Sequence, residues 1–137
     1  MVRIIKATKK DSLVSEWHKV DVPHYGRGVE WQEKEFRFKA IEGGKLVGIV
    51  EGKHESGVVY ITALITVERM RGRGIGTKLI EKAEQFGKRL GAHRSWLITG
   101  KGWAENSFYQ KLGFKLIGNL PDFYFHKDFV VYTRLIK

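Results

Sequence analysis

The chain has no cysteine. That excludes disulfides, a thiolate nucleophile and any thiolate-bound metal. Its five histidines, His18, His24, His54, His93 and His126, include no H-x-x-x-H pair, so a structural metal is not expected. No apolar run approaches the roughly 20 residues that a membrane-spanning helix needs. The opening Met1-Val2-Arg3-Ile4-Ile5-Lys6 becomes charged too soon for a signal peptide. A soluble, cytoplasmic protein without membrane contact is therefore expected. No internal repeat, linker or low-complexity segment interrupts the 137 residues, which predicts a single domain, 1–137. Acidic residues are scarce. Fifteen Asp and Glu stand against 25 Lys and Arg, a formal net charge of +10. Such a balance favours anionic partners: a nucleotide cofactor, a nucleic acid or an acidic substrate.

The most informative stretch runs from Val58 to Leu90. Val58 to Val67 is an apolar, β-branched run without Gly or Pro, which predicts a strand buried on both faces. Arg71-Gly72-Arg73-Gly74-Ile75-Gly76-Thr77 follows. Ile75, Leu79, Ala83, Phe86 and Leu90 then recur at helical spacing and predict an amphipathic helix with Gly91 at its end. A strand, a glycine-rich loop and a helix in that order make an anion cradle. The first helical N–H groups lack intrahelical partners, and the helix dipole adds positive charge there. Arg69, Arg71 and Arg73 add full charges. The loop is not a Walker loop, because Gly-Lys-Ser/Thr is missing. It is not a dinucleotide fingerprint either, because its glycines read G-x-G-x-G.

The rest of the chain is punctuated clearly. Val2 to Ala7 predicts a first strand, and Thr8-Lys9-Lys10-Asp11 resembles a capping box. Leu13, Val14, Trp17 and Val20 form a helical stripe that Pro23 is expected to stop. Phe36 and Phe38 alternate with charged residues, Gly43-Gly44 signals a hairpin, and Leu46 to Val50 is the next strand. Glu55-Ser56-Gly57 turns into the central strand. Beyond Gly91, the sequence predicts a strand at Ser95–Thr99, a helix at Trp103–Leu112 and a strand from Phe114. A turn at Asn119–Asp122 precedes a last strand at Phe129–Thr133.

Two segments carry a family resemblance. Arg71-x-x-Gly74-x-Gly76 resembles the R/Q-x-x-G-x-G/A loop of the GNAT N-acetyltransferase superfamily. Tyr109-Gln110-Lys111-Leu112-Gly113-Phe114, preceded by Phe108, resembles that family's Y-x-x-x-G-F segment, and the two lie in the family's order. The resemblance spans nearly the whole chain. It implies an α/β (α+β) fold: a mixed, mostly antiparallel sheet with helices on both faces. Its central strands splay to hold the cofactor.

The resemblance implies an enzyme moving an acetyl group from acetyl-CoA, as co-substrate, to a primary amine of a small molecule, peptide or protein. By register, the amides of Gly72, Arg73, Gly74, Ile75, Gly76 and Thr77 would hold the pyrophosphate. Leu64, Ile65 and Thr66 would pair with the pantetheine. Tyr109 corresponds to the family's acid, which protonates the departing thiolate. Without cysteine, transfer would be direct. The chemistry also needs a base for the amine and a donor for the developing oxyanion.

This chain departs from the family pattern at Thr66, at Glu68 and, most seriously, at Gly102, which stands where many members carry Asn. Asn106 is out of that register. The base stays unassigned: Glu30, Glu33, Glu51 and His24 qualify by type alone, and a water chain would serve. The acceptor would lie near Val22 to Trp31 and Asp122 to His126. There Tyr25, Trp31, Phe123, Tyr124 and Phe125 would form an aromatic site, with Asp122 for an ammonium. The same surfaces would equally serve a homodimer. Two alternatives stand beside the enzyme: a basic nucleic-acid-binding domain and a non-catalytic acyl-CoA sensor.

Overall fold

The computed structural model describes residues 1–137, which divide into two compact units, Met1–Trp31 and Gln32–Lys137. The first unit holds one helix, α1 (Val14–Tyr25). Residues 2–7 form no strand. A strand exists through its ladder, and this unit contains no second strand to pair with. The Thr8–Asp11 motif closes a turn rather than capping the helix. The Thr8 amide donates to Asp11 Oδ2 at 2.7 Å, and the Asp11 amide donates to the Thr8 carbonyl at 3.1 Å. The helix begins later, behind Leu13. Pro23 does not end α1. A proline removes one N–H, and the helix runs two residues further, to Tyr25, where Gly26 at φ 77° caps it with its amide donating to the Val22 carbonyl at 2.8 Å.

The second unit is a six-stranded sheet of β1 (Glu33–Glu42), β2 (Lys45–Glu55), β3 (Val58–Thr66), β4 (Arg94–Gly100), β5 (Lys115–Leu120) and β6 (Phe129–Leu135). Their spatial order is β1-β2-β3-β4-β6-β5. Every pairing is antiparallel except β3 with β4. Helices α2 (Ile75–Arg89) and α3 (Glu105–Lys111) complete the unit.

The side-chain alternation of the strands decides which face carries the core. Phe36, Val50, Val59, Ile61, Leu97, Val130 and Tyr132 join Leu79, Ile80 and Ala83 of α2 and Tyr109 of α3 in one buried cluster. Helix α2 lies close to the sheet because Gly87 has no side chain; a Cβ there would fall 2.1 Å from Val59 Cγ2. The helix ends in a paired C-terminal turn. The Ala92 amide donates to the Gly87 carbonyl at 2.9 Å, and that of Gly91 to the Lys88 carbonyl at 3.0 Å.

One partly buried ionic cluster locks α2, β4, β6 and the end of α3 together. Arg134 forks onto Glu84, with Nε donating to Oε2 at 2.9 Å and Nη2 to Oε1 at 2.5 Å. Ser95 Oγ donates to Glu84 Oε2 at 2.6 Å, and Arg134 Nη1 donates to the Leu112 carbonyl. Glu84→Gln removes the charge that Arg134 was desolvated to meet. It should lower unfolding free energy by roughly 2–3 kcal/mol, read as a lower urea midpoint at unchanged slope.

His54 is a second buried polar group, and its Nε2 accepts the Gly57 amide at 3.0 Å in the β2–β3 hairpin. Burial pushes its imidazole below the ordinary 6.5. The folded protein thus binds this proton less readily than the unfolded chain. The associated stability is present above pH 6.5 and is lost as pH falls through the folded value. Thermal melts should show a falling Tm on acidification below that pH, and a shallower fall in His54→Gln.

Candidate functional site

The site begins where β3 leaves β4. Their parallel ladder has four pairs, from Val58↔Arg94 to Ile61↔Leu97. Beyond it β3 continues to Thr66, while β4 stays with β6 as far as Gly100↔Phe129. A bulge marks the parting. On β2, Glu51 and Gly52 are neighbours, yet they pair with Ala63 and Ile61, so Thr62 is the extra residue. Gly52 makes room for it, since a Cβ there would lie 2.1 Å from the Tyr60 carbonyl oxygen.

The expected burial of β3 on both faces therefore holds only for its first half. Thr62 and Ala63 are exposed, and Ile65 is 62% exposed. The cause is the lost neighbour: past Ile61 the edge that should face β4 has no ladder partner. Leu64, Ile65 and Thr66 lie on this open-edged half. Main-chain groups along such an edge are available to an extended ligand carrying amides.

The glycine loop lies on the α2 side of the opening. A short 3-10 turn, Glu68–Met70, buries Met70 and anchors the loop. Arg71 Nε donates to the Thr66 carbonyl at 3.2 Å. Gly72 and Gly74 take φ of 79° and 81°, where side chains are strained. Gly74 is the helix N-cap and supplies no capping side chain, and the first turn carries no acidic residue. The amides of Ile75, Gly76 and Thr77 thus face outward uncapped, with Arg69, Arg71 and Arg73 exposed around them. This donor set fits a phosphate or pyrophosphate. A Cβ at Gly76 would lie 3.1 Å from Phe108 Cζ and 3.8 Å from Leu64 Cδ2, so the helix start rests on α3 and on the splayed strand together.

The Tyr-x-x-x-Gly-Phe segment is a helix-termination device that fixes Tyr109. The Phe114 amide donates to the Tyr109 carbonyl at 3.1 Å, and the Gly113 amide to that of Gln110 at 3.0 Å, with Gly113 at φ 91°. The Tyr109 and Phe114 rings meet edge-on at 5.9 Å, and Phe108 and Tyr132 flank them. The Tyr109 side chain is buried. Burial first, and the Glu105 carboxylate second, push its hydroxyl up to about 12. No buried side-chain oxygen or nitrogen lacks a partner. The Tyr109 hydroxyl has no hydrogen-bond partner within the protein and stays protonated at neutral pH.

Asn106 has a role that sequence reasoning missed. Its Nδ2 donates to the carbonyls of Gly100 at 2.9 Å and Trp103 at 2.8 Å, and its Oδ1 accepts from the Tyr132 hydroxyl at 2.7 Å. It ties the start of α3 to the end of β4. The visible signal was its place three residues before Tyr109, on the same helix face. Gly102 sits at φ 77°, a conformation that suits glycine.

Two of the candidate bases, Glu33 and Glu51, do not face Tyr109. Glu33 and Glu51 project from the sheet face opposite α2 and α3, where Lys53 Nζ donates to Glu33 at 2.8 Å and Arg37 Nε to Glu51 at 2.6 Å. Glu30 and His24 belong to the first unit, as do Tyr25 and Trp31. Asp122 is taken by His126 Nδ1, 2.8 Å away. Phe123 and Tyr124 meet at 4.6 Å, whereas Phe125 is 93% exposed at φ 54°. No three His, Asp or Glu side chains converge as metal ligands, and no helix is long and apolar enough to cross a membrane.

Comparison with known proteins agrees with this geometry. A sequence model described as the acetyltransferase (GNAT) family matches residues 5–114. N-alpha-acetyltransferase 30 of Schizosaccharomyces pombe (strain 972 / ATCC 24843) is 36% identical over 89 residues, 61% of this chain and 59% of that protein. The chain thus spans about three-fifths of that curated relative. Among solved structures, an acetyltransferase from Bacillus cereus ATCC 14579 is similar at a TM-score of 0.69 and 22% identity, over 98% of this chain and 97% of that one. An aminoglycoside 6'-N-acetyltransferase complexed with coenzyme A has a TM-score of 0.67 at 20% identity, over 75% and 73% of the two chains. Both structures share the fold.

Proposed function

Since the chain belongs to the acetyltransferase (GNAT) family, we propose that it transfers an acetyl group from acetyl-CoA directly to a primary amine, with Tyr109 as the acid. The observation that carries this reading is the pairing of an uncapped, arginine-rimmed helix start with a strand that has parted from its neighbour. Bound there, acetyl-CoA supplies the acetyl group as a thioester. The amides of Gly72 to Thr77 bind its pyrophosphate and Arg69, Arg71 and Arg73 neutralise it. Main-chain groups of Leu64, Ile65 and Thr66 orient the amide-bearing arm. A freed β3 N–H polarises the carbonyl oxygen where negative charge develops. The Tyr109 hydroxyl holds the proton that the leaving sulfur takes up. The amine's own proton passes to solvent water, since Glu33 and Glu51 are tied to cations.

Residues 1–137 work as one catalytic domain in this reading, and the setting is cytoplasmic. A non-catalytic acyl-CoA sensor is the second reading, favoured by Gly102 and by the ion pairs that occupy Glu33 and Glu51. Incubating the protein with acetyl-CoA and a panel of primary amines separates the two. Amine-dependent release of CoA thiol supports the transferase. Saturable acetyl-CoA binding without thiol release supports the sensor.

A further inference from the structure

An acid needs a fixed place, and the bonds of the Tyr109 hydroxyl do not supply one, since it has no partner within the protein. The helix that carries it is seven residues long, and no side chain caps its start. A helix this short is marginal alone, so its seat on the sheet decides where Tyr109 points. Asn106 provides that seat.

Its amide group first meets a carbonyl that the parting of β3 and β4 leaves over. The Lys101 amide donates to the Asp128 carbonyl at 2.9 Å, in line with the β4–β6 ladder. Main-chain groups alternate in direction along a strand, so the Gly100 carbonyl points away from β6, to the side that β3 has left. Gly100 is buried, and a buried carbonyl without a partner is costly. Asn106 Nδ2 donates to it at 2.9 Å, and the Trp103 amide at 3.2 Å. The second Nδ2 hydrogen goes to the Trp103 carbonyl at 2.8 Å, which fixes the loop between β4 and α3.

The other side of Asn106 faces β6. Its Oδ1 accepts from the Tyr132 hydroxyl at 2.7 Å, and Gln110 Nε2 donates to that same hydroxyl at 3.2 Å. Asn106 and Gln110 stand one turn apart on α3, with Tyr109 between them. The Tyr132 ring is buried, 6.1 Å from that of Tyr109. Glu105 reaches β4 through Thr99, and Gln110 reaches β6, but Asn106 alone joins the two strands.

We infer that Asn106 is the positioning residue of the acid: it holds α3 on the ends of β4 and β6 so that the Tyr109 hydroxyl faces the cofactor sulfur. The inference rests on the acetyltransferase reading. Tyrosine labelled at its hydroxyl-bearing carbon is incorporated, and the Tyr109 resonance is identified by its loss in Tyr109→Phe. CoA is titrated into the native protein, Asn106→Leu and Tyr132→Phe. CoA should move the Tyr109 resonance of the native protein. Both variants should bind CoA within about threefold of it, because loop and strand contacts are untouched, yet lose most of that movement. With the amine that releases most thiol, Asn106→Leu should lower kcat about tenfold or more at similar KM for acetyl-CoA. In a Tyr109→Phe background the same change should cost less than about threefold, because no acid is left to position. A merely structural Asn106 would give the same loss in both backgrounds. If Asn106→Leu does not fold, Tyr132→Phe carries the test, since it deletes one oxygen and keeps the ring. Undiminished movement of the Tyr109 resonance in either folded variant, or an equal loss of kcat in the two backgrounds, would overturn the inference. Failure of the acetyltransferase reading registers separately, as a native protein that does not bind CoA.

Discussion

Gly74→Glu is expected to abolish acetyl-CoA binding while leaving the fold in place. Gly74 sits at φ 81°, and a side chain in that region costs on the order of 1 kcal/mol. There is space for the new side chain, since nothing lies within 4 Å of a Cβ at this position. The damage is therefore electrostatic. Glutamate at the N-cap places a carboxylate among the uncapped amides of Ile75, Gly76 and Thr77, where it satisfies them and repels a pyrophosphate. Affinity should drop at least ~100-fold, a loss of ~2.7 kcal/mol. Gly74→Ala separates the two effects, because it adds strain without charge and should weaken binding by only about tenfold. Normal acetyl-CoA affinity in Gly74→Glu would remove the loop from the site.

The second large effect concerns Tyr109→Phe. Here the ring contacts with Phe108, Phe114 and Tyr132 are kept, and so is the backbone termination at Gly113 and Phe114. The lost hydroxyl has no protein partner, so stability should change by less than about 0.5 kcal/mol. Turnover should not survive so well. Positioned proton donors contribute on the order of 10²–10⁴ in rate, so kcat should fall roughly 100-fold or more, with KM for acetyl-CoA little changed. The pH profile gives an independent check. With its hydroxyl pushed up to about 12, Tyr109 stays protonated through neutral and moderately alkaline pH, and its acid form is lost only as pH rises towards that value. A kcat that declines with an apparent pKa near the ordinary 10 would assign the limb to another group. Unchanged kcat in Tyr109→Phe would remove the acid role.

Much of this was legible in local sequence. Gly43-Gly44 turns the first hairpin, and Ile75, Leu79, Ala83 and Phe86 place α2 on the sheet. The loop glycines fall at the helix start, and Gly113 ends α3. Each signal is a property of a few adjacent residues, and local chemistry is enough to fix it. What was not legible depends on distant partners. Val58 to Val67 reads as a fully buried strand because nothing in its composition tells where β4 turns away. The bulge at Thr62 is fixed by Gly52 on β2, not by Thr62 itself. Residues 2–7 have the composition of a strand but no ladder. Tyr60 and Trp96 are far apart in sequence and become one aromatic surface only through their register across β3 and β4. The base was unreadable for a related reason: the side that Glu33 or Glu51 faces depends on the sheet as a whole.

The central claim is that the slot beside β3 and the helix start at Gly74 together receive acetyl-CoA. Calorimetric titration of the purified protein with acetyl-CoA tests it most directly, with 3′-dephospho-CoA and ATP as reference ligands. The account predicts saturable binding of acetyl-CoA, with 3′-dephospho-CoA still bound because the pyrophosphate and the amide-bearing arm make the contacts. ATP should bind more weakly, having charge for the loop but nothing for the open strand edge. No binding of acetyl-CoA, or affinity equal to that of ATP, would contradict it.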